Sequence, residues 1–298
     1  MKINIVQAHN YPGSITRASA MISNCLIGMN HEVVISYPVI QQYSHYKFRL
    51  KNDPYFIKTL IFLIKGFIRN RHKKWSGNTY GLRSEVLCNK YRMLPNNTNM
   101  PDSDVILTFQ QALLPSLIEL KSNKGRIIDV WTSCEYEGDI HEKYFDHTFK
   151  HYSKIRVTRF ALSNRLIKYY KKFNISFDGL FHLGINSKEF FPNRIDEKDH
   201  SILFFIASWG AKGGEVAINI AKLLRKKGVT NKFYSVGEGD GLDLSIFDVN
   251  YGYVVGSEYS KIYRRHKFFV YSSLFDGFPS PPLEAMSSGA VCLLSNTP

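Results

Sequence analysis

Acidic residues are scarce in this chain. Twenty-five Asp and Glu stand against 39 Lys and Arg, a formal net charge of +14. An excess of that size calls for an acidic partner, and nucleic acid, anionic lipid and the phosphates of a nucleotide all qualify. The sequence lacks the signatures of the first: it has no zinc-finger spacing, no RNP-like aromatic motif and no clean helix-turn-helix, so no nucleic acid is expected. Cysteines are also few. Cys25, Cys88, Cys134 and Cys292 are scattered without a CxxC pair or metal-ligand spacing. They read as reduced, inert thiols of a cytosolic protein with no metal site. No apolar run is long enough to span a bilayer, and Met1–Val6 reads as a short strand rather than a signal peptide. No internal repeat is visible beyond a general alternation of strand and helix.

What the chain does have is length and apolar content. Its 298 residues, 44% hydrophobic, can bury one large or two ordinary cores. Lys2–Val6 reads as a buried strand, Ala8–Ser14 as a loop holding Pro12, Gly13 and Ser14, Ile15–Gly28 as a helix and Glu32–Tyr37 as a second strand. That order implies a parallel sheet with right-handed crossovers. Further strands are expected at Asp104–Phe109, Arg126–Val130, Ile155–Leu162 and Gly179–Leu183. The polar run Asn193–His200 reads as a linker. A second alternation follows, with strands at Ser201–Ile206, Lys232–Val236, Val249–Val255, His266–Tyr271 and Ala290–Leu294. The expected fold class is α/β: two doubly wound, Rossmann-like domains, residues 1–193 and 200–298, the second incomplete.

Three segments carry chemistry. Lys212-Gly213-Gly214 sits after a strand and opens a helix. Unpaired N–H groups and the positive end of the dipole there suit a phosphate, and Lys212 adds a full charge. The plainer reading is a glycine-rich turn with a solvated lysine. Asp276 and Glu284 lie eight positions apart, with Gly277-Phe278-Pro279-Ser280 after the first and the second where an apolar helix begins. They can be a turn and a helix-end acid, or two carboxylates facing one pocket, able to hold the hydroxyls of a ribose. Ligands bind at such loops, beyond the carboxyl ends of the strands. The third segment, His182–Pro192, reads as a strand exit with Phe190 and Phe191 packing at the interdomain hinge.

In this order the segments resemble the family 4 retaining glycosyltransferases of the GT-B fold. The resemblance runs through Gly184-Ile185-Asn186…Phe190-Phe191-Pro192, then Lys212-Gly213, then Val236-Gly237-Glu238-Gly239, and last Asp276-Gly277-Phe278-Pro279-Ser280-Pro281-Pro282-Leu283-Glu284-Ala285-Met286. It implies transfer of a hexose-type sugar from a nucleotide sugar to a surface-polysaccharide or lipid-linked acceptor. Retention of configuration and independence of metal and other cofactors are implied with it. By the same resemblance, Lys212 and the Gly213 and Gly214 amides would stabilise the departing pyrophosphate. Glu284 would hold the ribose. Asp276 and the amides of Gly277 and Phe278 would position the donor sugar, Pro279 having no N–H to offer. Gly13 and Ser14 would line the substrate side of the N-terminal loop. The chain departs from the pattern in four places. The first acid is Asp276 rather than Glu, no arginine precedes Lys212 in its loop, the N-terminal loop has the single Gly13, and the usual histidine is missing near Asp129–Ser133. An inactive membrane-binding remnant and a nucleotide-sugar 2-epimerase are the alternatives.

Two expectations concern surfaces. Asp53-Pro54 suits a helix start, and Tyr55–Ile68 then runs apolar into Arg69, Arg71, Lys73, Lys74 and Trp75. A basic, Trp-ended flank suits an anionic membrane surface, whereas a core helix with a solvated basic end is the structural alternative. Arg165–Lys172, with Tyr169 and Tyr170, would extend that surface. The strand Ala290–Leu294 is expected to be fifth in the second sheet, with an uncovered edge, an exposed apolar face and no return helix to the first domain.

Overall fold

The computed structural model describes residues 1–10, 13–39, 64, 68, 73–81, 83, 85–91, 94–121, 124–132, 152–194 and 198–296. Contacts divide the chain into two compact units. The first is built on Met1–Thr132 and a later segment ending at His182, and the second takes up the chain from Leu183.

The sheet of the first unit holds β1 (Lys2–Val6), β2 (Glu32–Pro38), β3 (Leu87–Tyr91), β4 (Val105–Thr108), β5 (Arg126–Trp131), β6 (Thr158–Ala161) and β7 (Gly179–Leu180), in the order β3-β2-β1-β4-β5-β6-β7. Its described pairings are all parallel, Ile3 lying beside Val33 on one flank and Val105 on the other. A central parallel strand is covered on both faces, so β1 reads as a nearly unbroken apolar run. Its one buried polar residue, Asn4, accepts a hydrogen bond from Ser36 Oγ at 2.7 Å. The helix Ser14–Gly28 follows β1 and turns Ser19 inward, where its Oγ accepts from Gln7 Nε2 at 2.8 Å. Trp75 closes the same corner: it is 1% exposed, and its indole N–H donates to Gln7 Oε1 at 2.7 Å.

The second unit holds β8 (Asp199–Phe205), β9 (Phe233–Val236), β10 (Val249–Asn250), β11 (His266–Tyr271) and β12 (Val291–Leu294), again all parallel among described pairings, in the order β10-β9-β8-β11-β12. Helices Gly214–Lys226, Ser257–Arg265 and Ser280–Ser287 join them. Successive residues of β8 point to opposite faces. Leu203 packs with Tyr234, Tyr263 and Phe269, while Phe204 packs with Ala217, Ile218 and Phe233. Two cores on the two faces of one sheet define a doubly wound arrangement.

Several expectations shift. Phe190 is 4% exposed in the core with Leu203, Tyr263 and Phe269, and Ser287 Oγ donates to its carbonyl at 2.7 Å. Leu183–Asn193 therefore packs with the second unit, where the sequence placed it at the end of a domain running to residue 193. Lys198, read as linker, is buried, and its ammonium donates to the carbonyls of Arg264 and His266 at 2.8 and 3.2 Å. Residues 195–197 lie outside the described residues. So does the segment 53–72 apart from Ile64 and Ile68, both exposed and helical. The aromatic residues read as membrane-interface anchors are instead core residues: Trp75, Tyr169 and Tyr170 are all buried. Among the described residues no helix is long and apolar enough to cross a membrane. The strand Leu87–Tyr91, on the edge of the first sheet, had no counterpart in the sequence reading. The apolar face expected at the edge of the second sheet is there: Val291, Leu293 and Leu294 of β12 are 52%, 55% and 48% exposed.

Candidate active site

The order of the second sheet locates a crevice. From β8 the chain moves outward to β9 and β10 on one side, and β11 and β12 lie on the other. The order reverses between β8 and β11, and a doubly wound sheet leaves a crevice beyond the carboxyl ends of such a pair. Residues 206–213 follow β8 there, and residues 272–279 follow β11. These are the two loops that the sequence singled out.

The structure joins them into one body. Leu274 N and Phe275 N donate to the Ala211 carbonyl at 2.8 and 3.1 Å. Ser273 Oγ donates to the same carbonyl at 3.2 Å, and Ser272 Oγ donates to that of Gly213 at 2.7 Å. Gly213 is obligatory on two counts. Its φ of +65° lies in the left-handed region, and a Cβ there would stand 2.0 Å from the Ser272 carbonyl oxygen. Gly214 is the first residue of the helix Gly214–Lys226. Its leading N–H groups lie outside the intrahelical ladder at the positive end of the dipole.

Lys212 and Asp276 meet in this body. Lys212 Nζ donates to Asp276 Oδ2 at 2.6 Å, with side-chain exposures of 23% and 11%. The Tyr271 hydroxyl, at the end of β11, donates to the same oxygen at 2.5 Å. Burial, then the Asp276 charge and the hydrogen bond to it, push the Tyr271 phenol far above its ordinary range. It stays a donor at any pH the protein meets. Phe278 N donates to Asp276 Oδ1 at 3.3 Å, so this amide, expected to face a donor sugar, closes a turn on its own loop. Trp209, 44% exposed, lies under the Lys212 ammonium, 5.5 Å from ring centroid to nitrogen, a distance at which the cation is attracted to the ring face. Lys212 is the one cation in the segment 206–214.

Glu284 stands elsewhere than expected. The helix begins at Ser280, with Pro281 and Pro282 in its first turn, and places Glu284 in its second, 1% exposed. It is an interior carboxylate, not a helix-end acid. Val236-Gly237-Glu238-Gly239 closes against the loop after β8, where Ser208 N donates to the Glu238 carbonyl at 2.7 Å. Gly13 and Ser14 belong to the first unit, at the start of the helix Ser14–Gly28. Two residues there and in the crevice escaped the sequence reading. His9, just past β1, is buried, and burial pushes its imidazole down to about 4. Tyr271 sits in an apolar strand, where an aromatic is ordinarily core, and only its hydroxyl contact marks it. Among the described residues no group of three or more His, Cys, Asp or Glu side chains is placed to hold a metal ion.

A family model, glycosyl transferases group 1, matches residues 200–298, the second unit's sheet and both of its loops. Solved structures share the fold over nearly the whole chain. Anabaena Alr3699/HepE in complex with UDP superposes with a TM-score of 0.66 at 10% identity, covering 100% of this chain and 81% of that one. A TarM variant from S. aureus, in complex with fondaparinux, alpha-GlcNAc-glycerol and UDP, gives 0.64 at 13% identity, covering 99% and 86%. Sucrose-phosphate synthase from Thermosynechococcus elongatus gives 0.62 at 14%, covering 99% and 81%. Comparison with curated proteins finds no match. The chain has the α/β fold of the GT-B glycosyltransferases, and the family match supports a glycosyltransferase.

Proposed function

We propose that the chain transfers a sugar from a nucleotide-sugar donor to a glycan or lipid-linked acceptor, and that the β8/β11 crevice holds the donor. The observation that carries this reading is the convergence of Lys212 and Asp276, 2.6 Å apart, on the two loops flanking the reversal of strand order. A diphosphate needs a cation and helix N–H groups, and Lys212 and the start of Gly214–Lys226 supply both. A sugar needs an oriented carboxylate, and Asp276 is one. The neighbours solved with UDP or a glycan ligand favour the same ligand classes here.

In the proposed reaction the bond between the anomeric carbon and the diphosphate oxygen breaks as negative charge gathers on the leaving group. Lys212 Nζ turns from Asp276 to that oxygen, a preorganised charge in a partly dry crevice. Asp276 accepts hydroxyls of the donor sugar. The acceptor hydroxyl bonds to the anomeric carbon on the face the diphosphate left, with retention, and its proton leaves with the leaving group. Charge neutralisation falls to Lys212 and backbone N–H groups, so the proposed reaction needs neither a metal nor another cofactor. Glu284 is proposed to hold the ribose from the helix interior. The net charge of +14 favours work at an anionic membrane surface on its cytoplasmic face.

The experiment is calorimetry with UDP, GDP and ADP, followed by hydrolysis of the matching nucleotide sugar. One nucleotide should bind, and Lys212→Ala should weaken it. A chain that binds none of the three overturns the reading.

A further inference from the structure

The Asp276 carboxylate is where the two loops of the crevice and the end of β11 meet. The β12 edge is apolar, but nothing in the structure shows what covers it. The His266–Ser201–Tyr251 cluster lies at the start of β11, the end away from the crevice, with His266 and Ser201 buried. At Asp276, by contrast, two donors converge on one oxygen. Lys212 Nζ and Tyr271 Oη lie 2.6 and 2.5 Å from Oδ2, while at Oδ1 the contact from Phe278 N is longer, at 3.3 Å.

We infer that Tyr271 is a positioning residue that fixes the Asp276 carboxylate for the donor sugar and keeps it fixed when Lys212 turns to the diphosphate. The inference rests on the reading of the crevice as a donor site. Its physical basis is a difference between the two donors. Lys212 is a flexible side chain, 23% exposed, that the leaving group would recruit. Tyr271 is 4% exposed, and its ring is packed by Phe205 and Phe269 at centroid distances of 5.3 and 6.3 Å. It cannot follow a ligand, so its hydroxyl is the fixed point of the network. Aspartate is one methylene shorter than glutamate, and a hydroxyl rising from the end of β11 meets the shorter carboxylate where it stands. The phenol is held protonated by its burial and by the charge it faces, so this donor does not switch off.

The test is a double-mutant cycle on the full chain with Tyr271→Phe, Asp276→Asn and both changes together. Phenylalanine keeps the ring and removes only the hydroxyl. Three quantities are read: the urea midpoint, the affinity for UDP, GDP and ADP, and turnover of UDP-glucose, GDP-mannose and ADP-glucose. Tyr271→Phe should lower turnover about 10- to 100-fold, the size of a hydrogen bond to a charged group. Nucleoside diphosphate affinity should stay within about twofold, because the Tyr271 hydroxyl is spent on Asp276 and the proposed partners of the diphosphate are Lys212 and the helix N–H groups. In the Asp276→Asn background the same change should cost little further turnover or stability. Equal losses in both backgrounds, or undiminished turnover in Tyr271→Phe, overturn the inference while leaving the donor site in place. A wild-type chain that binds no nucleotide overturns the donor-site reading and the sugar role of Asp276 with it. The urea cycle then still decides whether Tyr271 and Asp276 are coupled.

Discussion

Lys212 is the residue on which the proposed chemistry turns. Removing one preorganised charge aimed at a leaving group costs about 10²–10³ in rate. Lys212→Ala should lose turnover on that scale while keeping its fold, because Asp276 retains the Tyr271 hydroxyl. Near-wild-type kcat in that variant would show that the phosphate lies elsewhere. Glu284 calls for a different experiment now that its place is known. A carboxylate 1% exposed is costly unless held, so Glu284→Gln should move both the unfolding midpoint and nucleotide affinity. A change in stability with no change in affinity would leave it a structural acid. The interior position was hidden in the sequence because Pro281 and Pro282, good first-turn residues, sit in the helix rather than before it. Lys212, Gly213 and Asp276 were legible as a site because their residue types sit at strand-to-helix turns. Tyr271 was not, since one hydroxyl contact leaves no mark in a sequence.

At the scale of elements, the pinned turn 210–213 and the buried end of β11 each give an expectation. A Cβ on Gly213 would meet a backbone carbonyl, not a movable side chain. Gly213→Ala should therefore break the seam to residues 272–275, destabilise the second unit by about 2 kcal/mol or more and lower turnover as well. Unchanged urea midpoints would contradict this. His266 begins β11 at 1% exposure, its Nδ1 2.6 Å from Ser201 Oγ, with Tyr234, Tyr251, Lys198, Asp199 and Arg265 around it. Burial first, then the Arg265 charge, pushes it down from 6.5 to about 4. The unfolded chain binds the proton first, so this contribution is whole above pH 6.5 and is lost as pH falls toward 4. Its full size is about 3 kcal/mol. The pH dependence of urea unfolding should steepen across that window and flatten in His266→Asn; an unaltered slope would assign the acid sensitivity to other groups. Strands β1, β8 and β11 were readable as apolar runs, being central or flanked on both sides. β3 was not, because Leu87, Cys88 and Lys90 are exposed on an edge, and so little of its sequence is dictated by burial.

For the whole molecule, the two-unit α/β plan was legible in the rhythm of strand and turn, but the division at His182 was not. The composition change at Asn193–His200 pointed further on, whereas Phe190 reaches into the second core before that change begins. The exposed face of β12 belongs to the same scale. An apolar strand edge invites pairing with other chains, so Leu293→Lys should reduce concentration-dependent light scattering without altering nucleotide affinity; scattering that ignores the change would place the association surface elsewhere. The position of β1 has a consequence in time rather than in space. It lies between β2 and β4, and Lys2 N donates to Asp104 Oδ2 across a sequence separation of 102 residues. Its second flank stays open until a contact across a large part of the chain has closed, and parallel sheets built this way assemble slowly. Pulse-labelled hydrogen exchange during refolding should therefore show the amides of Ile3 and Ile5, which bond toward β2, gaining protection only together with those of Asn4 and Val6, which bond toward β4. Early protection of β1 would mean that it pairs with β2 alone, leaving a long-lived hairpinless edge for chaperones or neighbouring chains to meet.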